Sequence, residues 1–192
     1  MLNNTQWGPP TWKVIHTFAV LIPSSALMVE FIKVLKLILP CEACRNHFST
    51  NGKKYPIENY VQDNETLFYW TYIMHNNVPG GAVSTVSPRT YFNMYRNEYY
   101  TTPSYLHDAI WIHVQSIAQG YPLIPTKEDK TLYIKYFTLL SKILSSLPSP
   151  EKCPAPAPTL SFSPPYSALL SRNTLMSWVQ TEEEKYAHPP KN

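Results

Sequence analysis

Cysteine is scarce in this chain: three in 192 residues, of which Cys41 and Cys44 lie close together and Cys153 stands alone. A second dithiol within the chain is thereby excluded, and so is the second cysteine pair on which tetrahedral structural zinc usually draws. Charge is also sparse, at 15% of residues with a formal net charge of +3 and no basic run. Nothing in that pattern indicates nucleic acid. The longest apolar stretches are broken by lysine, as at Lys33 and Lys36, so no segment is expected to span a bilayer. Met1 to Gln6, the six residues before Trp7, hold no apolar core of the length a signal peptide needs. Nor does any segment sustain a two-residue alternation of apolar and polar side chains, which argues against a sheet.

What is present is apolar, aromatic and helical in its spacing. Hydrophobic residues make up 44% of the chain and aromatics 14%, including 14 tyrosines and 5 tryptophans. That is enough apolar material for one domain of ordinary size or two small ones. The aromatics suit a small helical domain that sandwiches a planar cofactor, and equally an ordinary packed core. Trp12, Ile15, His16 and Ala19 share one helical face. After the break at Pro23-Ser24-Ser25, Leu27, Phe31, Val34, Leu35 and Ile38 make a second stripe. A short third helix is expected to begin at Pro40. A fourth is expected with Asn64 as its N-cap and Leu67, Trp70, Met74 and Val78 in register, until Pro79-Gly80-Gly81 stops it. A fifth would start at Ser87-Pro88. The fold class is all-α.

The chemistry centres on Leu39-Pro40-Cys41-Glu42-Ala43-Cys44-Arg45-Asn46-His47-Phe48. A proline just ahead of Cys41 places that thiol at a helix N-terminus, where unpaired N–H groups and the helix dipole favour thiolate over thiol. A Cys-x-x-Cys pair can pass two electrons. Other readings of the same residues stand beside this one, because the bare motif recurs in several chemistries. Cys41, Cys44 and His47 would supply three zinc ligands. A thioredoxin-like fold would need a strand leading into the motif, where the spacing is helical. Two buried, inert thiols would also satisfy the local sequence.

Three ordered stretches then carry a resemblance. Trp7-Gly8-Pro9-Pro10-Thr11-Trp12-Lys13-Val14-Ile15-His16-Thr17-Phe18-Ala19 comes first, the stretch from Leu39 to Phe48 second, and Leu67-Phe68-Tyr69-Trp70-Thr71-Tyr72-Ile73-Met74-His75-Asn76-Asn77-Val78 third. Together they resemble the Erv/ALR family of FAD-dependent sulfhydryl oxidases over roughly residues 6 to 100, most like those of large cytoplasmic DNA viruses. The resemblance implies an FAD-binding bundle of four or five helices. It also implies a thiol oxidase that forms disulfides in reduced protein substrates. Cys41 would take the mixed disulfide, and Cys44 would pass two electrons through FAD to oxygen, giving hydrogen peroxide. Trp7, Gly8, Pro9, Trp12 and His16 match the opening motif that wraps the cofactor, and His75, Asn76 and Val78 match the motif at its adenine end. His47 and Trp70 would be neighbours. For His16 and Trp70, ordinary core packing is the competing reading.

Two departures stand out. Pro79 takes the place of the motif's last asparagine, and Ser87-Pro88 stands near the family's Lys-Pro, which leaves Arg89 as the substitute cation for the FAD phosphates. No metal is assigned. With no second dithiol to act as a shuttle, the resemblance points to a small dithiol relay protein as partner, serving virion proteins. The expected location is intracellular, in host cytoplasm or virion. The alternative from another class is a non-catalytic virion or scaffold protein with a zinc-binding or vestigial site.

Residues 101–192 read as a degenerate copy of residues 1–100. Ile112-His113 repeats Ile15-His16, and Leu132, Tyr136, Leu140, Ile143 and Leu144 repeat the second stripe. Leu147-Pro148-Ser149-Pro150-Glu151-Lys152-Cys153 follows Leu39 to Cys44 with one residue inserted and the first cysteine lost. Arg172 to Trp178 matches Asn64 to Trp70. This copy cannot do the chemistry: Ser104 and Ala109 replace Trp7 and Trp12, and Glu183-Glu184 replaces His75-Asn76. Prolines from Pro148 to Pro165 would spoil a helix there. The tail from Thr181 is expected to fray at its end. Assembly is expected as a homodimer, or as an intrachain pseudo-dimer in which the copy covers the first two helices.

Overall fold

The computed structural model describes residues 3–79, 85–102, 106–148 and 160–187. Among these, eight α-helices and two 3-10 turns account for all regular structure. The helices are α1 (Asn4–Leu21), α2 (Ser25–Ile38), α3 (Glu42–Lys54), α4 (Asn64–Asn76), α5 (Pro88–Thr101), α6 (His107–Gly120), α7 (Lys127–Ser146) and α8 (Arg172–Ala187). The 3-10 turns are Ile57–Tyr60 and Tyr166–Leu170.

The helix starts explain most boundaries. The Asn3 side chain accepts from the Thr5 and Gln6 amides, and Gln6 reaches back to the Asn3 amide, so α1 begins eight residues before Trp12 and carries Pro9 and Pro10 within it. Ser24 caps α2 by accepting from Leu27. Met28, Phe31, Ile32, Val34, Leu35 and Ile38 then bury one face of that helix. Each such side chain is worth about 1.5–3 kcal/mol when fully removed from water. Ser87 caps α5 with Pro88 in its first turn, as the sequence predicts.

Two expectations need correction. The N-cap of α4 is Asp63, whose carboxylate accepts from the Thr66 amide at 2.7 Å while the Thr66 hydroxyl accepts from the Asp63 amide. Asn64 instead donates through Nδ2 to the carbonyls of Ala19 and Ile22, closing the end of α1. The helix also stops at Asn76, before Val78. At the other end of the chain α8 runs through Ala187, and the end of the tail, expected to fray, lies outside the described residues. The match between Leu147-to-Cys153 and Leu39-to-Cys44 lies outside the described residues from position 149 on.

Helix α1 is the axis of the molecule. It packs against α4 and α5 on one side and lies along α6 on the other, while α2 lies along α7 and α6 packs on α8. One continuous apolar cluster runs through both halves, from Trp7 and Phe18 to Leu140 and Val179.

Candidate functional site

Pro40 ends the turn after α2, and Cys41 takes the N-cap position of α3. Its sulfur accepts the amide N–H of Cys44 at 3.3 Å, the interaction that a helix N-terminus offers a thiolate. The two cysteines are half-buried and not disulfide-bonded to each other. Burial, and then the hydrogen bond with Cys41, pushes the Cys44 thiol up to about 12. Arg45 donates to the Leu39 carbonyl, which pins the chain entering the motif.

One turn along α3 from Cys44, Phe48 points into the bundle and links the dithiol helix to α1. Its ring lies 6.2 Å from Trp12 at 23° and 6.2 Å from Trp70 at 71°. Trp12 is half-buried and stacks flat on His75, with centroids 4.5 Å apart and planes 10° apart. Behind them, His16 is fully buried. Its Nδ1 meets the Thr71 hydroxyl at 2.7 Å and its Nε2 meets Nδ1 of His75 at 3.0 Å. Tyr91 and Tyr95 of α5 and Phe68 of α4 surround the His16 ring at 5.1–5.8 Å. Burial, and then repulsion from His75, drives the His16 pKa well below its ordinary value, and burial lowers His75 to about 4. Both are neutral imidazoles at physiological pH.

Thus Trp12, His16 and His75 come together, with the dithiol reached through Phe48. The other predicted residues are placed differently. Trp7 is buried, and a Cβ added at Gly8 would meet nothing within 4 Å. Pro9 lines an open groove between α1, α5 and α6 with Lys13 and Tyr95. Trp70 is a core residue whose indole N–H donates to the Tyr55 carbonyl at 2.8 Å. Asn76 and Val78 sit at the end of α4, where the Val78 amide bonds the His75 carbonyl. His47 and Arg89 are exposed, Arg89 in the first turn of α5. Cys153 lies outside the described residues.

Phe48, Thr71, Tyr91 and Tyr95 were missed by the sequence reading. The available signals were spacing: Thr71 is four residues before His75, and Tyr91 four before Tyr95, so each pair shares a helix face.

The model of the Erv1 / Alr family matches residues 9–82, which contain Trp12, His16, the dithiol and His75. This part of the chain is similar to the Erv1 / Alr family. Two curated relatives come from a Kenyan pig isolate and a Namibian warthog isolate of African swine fever virus, both named FAD-linked sulfhydryl oxidase. The first is 31% identical over 78 residues, covering 38% of this chain and 64% of the relative. The second is 28% identical over 106 residues, covering 52% and 87%. The chain therefore spans a little under two thirds of the first relative's length. No solved structure matches it significantly.

The site fits a planar cofactor. It offers flat, half-buried aromatic surface at Trp12 and His75. Among the described residues, no group hydrogen-bonds Nε2 of His75. Because Trp12 and His75 already stack on each other, a ring system would lie against their outer surfaces and edges, not between them.

Proposed function

We propose that the chain is an FAD-dependent thiol oxidase that makes disulfides in protein substrates. The observation that carries this reading is the half-buried Trp12–His75–His16 cluster joined through Phe48 to a dithiol whose first sulfur caps a helix. The names of the viral relatives support it. When bound, FAD would accept the electron pair and two protons of the reduced dithiol and hand them to oxygen as hydrogen peroxide. The protein's own part is as follows. In the oxidised form a substrate thiolate attacks Cys41, breaking the Cys41–Cys44 bond and leaving Cys44 with its electron pair. A second substrate thiol then displaces Cys41, so two substrate thiols become one disulfide and the motif becomes a dithiol. The Cys44 amide at the Cys41 sulfur lowers the cost of charge on the leaving Cys41. Burial makes charge on Cys44 costly, so its thiolate calls for an electron-poor partner that the protein alone does not supply.

Trp12, His16 and His75 would hold the cofactor, with Trp7, Gly8, Pro9, Asn76, Val78 and Arg89 as further contacts, and His47 and Trp70 as neighbours. The substrate would be a small dithiol relay protein serving virion proteins. The second half would be the degenerate copy, and the whole chain an intrachain pseudo-dimer. Phe31 and Tyr136, which occupy matching places in the two apolar stripes, stack on each other at 5.8 Å and 29°, as self-contacting residues at a two-fold axis would.

The test is the visible spectrum of the purified protein, followed by oxygen uptake with dithiothreitol. A flavin band, with uptake lost in Cys41→Ser, is expected. A colourless, inactive protein would overturn the reading and turn attention to zinc. A monomeric full chain by sedimentation is expected; a dimer would overturn the pseudo-dimer.

A further inference from the structure

The Thr71 hydroxyl has one proton and two close partners. It lies 2.7 Å from the Phe68 carbonyl oxygen and 2.7 Å from Nδ1 of His16. A carbonyl can only accept, so the proton goes to Phe68, and the Thr71 oxygen must accept from the imidazole. His16 is then protonated at Nδ1. It is enclosed by Phe68, Tyr91 and Tyr95, and among the described residues no carboxylate meets its ring, so it does not hold a second proton. Its Nε2 is therefore bare and must accept from His75, 3.0 Å away at Nδ1. That fixes His75 in turn: Nδ1 carries the proton and Nε2 is bare.

The geometry points to Thr71 as the positioning residue of this site. Through His16 it sets the tautomer of His75, so that the edge of His75 offers an acceptor and takes an N–H or O–H donor of the bound group. This deepens the flavin reading and rests on it for the identity of that group. It also explains why two neutral histidines are used where one would fill the space. An isolated imidazole can donate or accept with either nitrogen, whereas this chain of hydrogen bonds leaves one choice. The Trp12 ring, stacked flat on His75, holds the plane in which that acceptor points. The other buried histidine, His113, lacks such a chain: its nitrogens meet two hydroxyls, Thr11 at 2.9 Å and Tyr136 at 2.9 Å, either of which can give or take a proton.

Nitrogen-15 NMR of the histidine rings in the full-length protein tests the assignment, first as purified and then with added FAD. For both His16 and His75 the expected pattern is a pyrrole-type Nδ1 and a pyridine-type Nε2. Thr71→Val should scramble the His75 pattern and weaken FAD binding by about tenfold, the order expected for one misplaced hydrogen bond. Thr71→Ser should restore both. A pyrrole-type Nε2 on His75 in the wild type overturns the inference, as does an unchanged pattern in Thr71→Val. Should the valine variant not fold, the wild-type and serine spectra decide alone. The expected pattern without any FAD binding would leave the tautomer assignment standing and sink the flavin reading instead.

Discussion

In the proposed alignment of the two halves His16 and His113 occupy matching places, each following an isoleucine and each fully buried in its helix, yet they sit in opposite surroundings. Around His16 the first half keeps a half-buried aromatic face, with Trp12 stacked on His75 and a thiol pair one helix away. Around His113 the second half turns its large rings onto one another. Ala109 stands where Trp12 would be, and Trp111 lies against Phe162 at 5.1 Å and Tyr186 at 5.8 Å. Trp178, the proposed counterpart of Trp70, packs on Phe137 at 5.4 Å. Glu183, opposite His75 in the proposed alignment, accepts a hydrogen bond from Gln115. On the proposed alignment, one helical frame carries the candidate site and its counterpart carries rings packed on rings. The difference lies in whether large aromatics point at one another across a closed core or leave a face uncovered.

The largest effect that would break this comparison is at the dithiol. Cys41→Ser or Cys44→Ser should take oxygen uptake to background, while Cys153→Ser leaves it unchanged. Uptake that survives either of the first two would mean the chemistry does not reside in the first half. Next come the two tryptophans. Trp111→Ala should cost about 3–5 kcal/mol in denaturant unfolding, as truncation of a fully buried aromatic does. Trp12→Ala, at a half-buried position, should cost less than half of that and yet lose bound flavin. Equal costs, with flavin retained in Trp12→Ala, would make the first half a packed core like the second.

Acid separates the halves more finely. Burial holds His75 at about 4 and His113 at about 3, against an ordinary 6.5, and holds His16 well below the same value. The unfolded chain therefore binds protons that the folded chain refuses. The histidines' contribution to stability is complete above about pH 6.5 and is lost as pH falls toward those lower values, at about 1.4 kcal/mol per pH unit for each ring. Melting temperatures against pH should show this slope. His113→Leu should remove one ring's share, and saturating FAD, which binds the unprotonated His75, should enlarge only the share of His16 and His75. A flat profile between pH 6.5 and 4 would show that none of these rings resists protonation.

The smallest effect crosses between the halves. A Cβ at Gly120 of α6 would lie 2.8 Å from the Pro40 Cα, a backbone atom that cannot swing aside. Gly120→Ala should cost about 1–3 kcal/mol, as overpacking does, and should slow the dithiol next to Pro40. Unchanged turnover would mean that the second half touches the motif without influencing it.

Much of this architecture is legible along the chain, because helices are encoded locally. The stripe Phe31, Val34, Leu35 and Ile38 is buried as its spacing predicts, and Ser87-Pro88 opens α5. Misreadings came where two local signals competed. Asp63 and Asn64 are both good caps, and only the carbonyls at the end of α1, which need Asn64, decide that Asp63 takes the role. The indole N–H of Trp70 donates to the Tyr55 carbonyl, a contact 15 residues back that its own helix does not announce. Thr71 was invisible for a related reason: a threonine between two aromatics in a helix gives no hint that a histidine 55 residues earlier will sit on its hydroxyl.

The sequence by itself determined the helices and the position of Cys41 at a helix start. Each of these depends on residues within a few turns of one another, where spacing, caps and dipoles act. The tertiary structure decided what those residues face: Trp12 on His75, His16 between Thr71 and His75, Gly120 on Pro40, and α6 along α1. The named side-chain contacts join residues 55 to 80 positions apart, and their energy comes from burial and shape, which no local pattern carries.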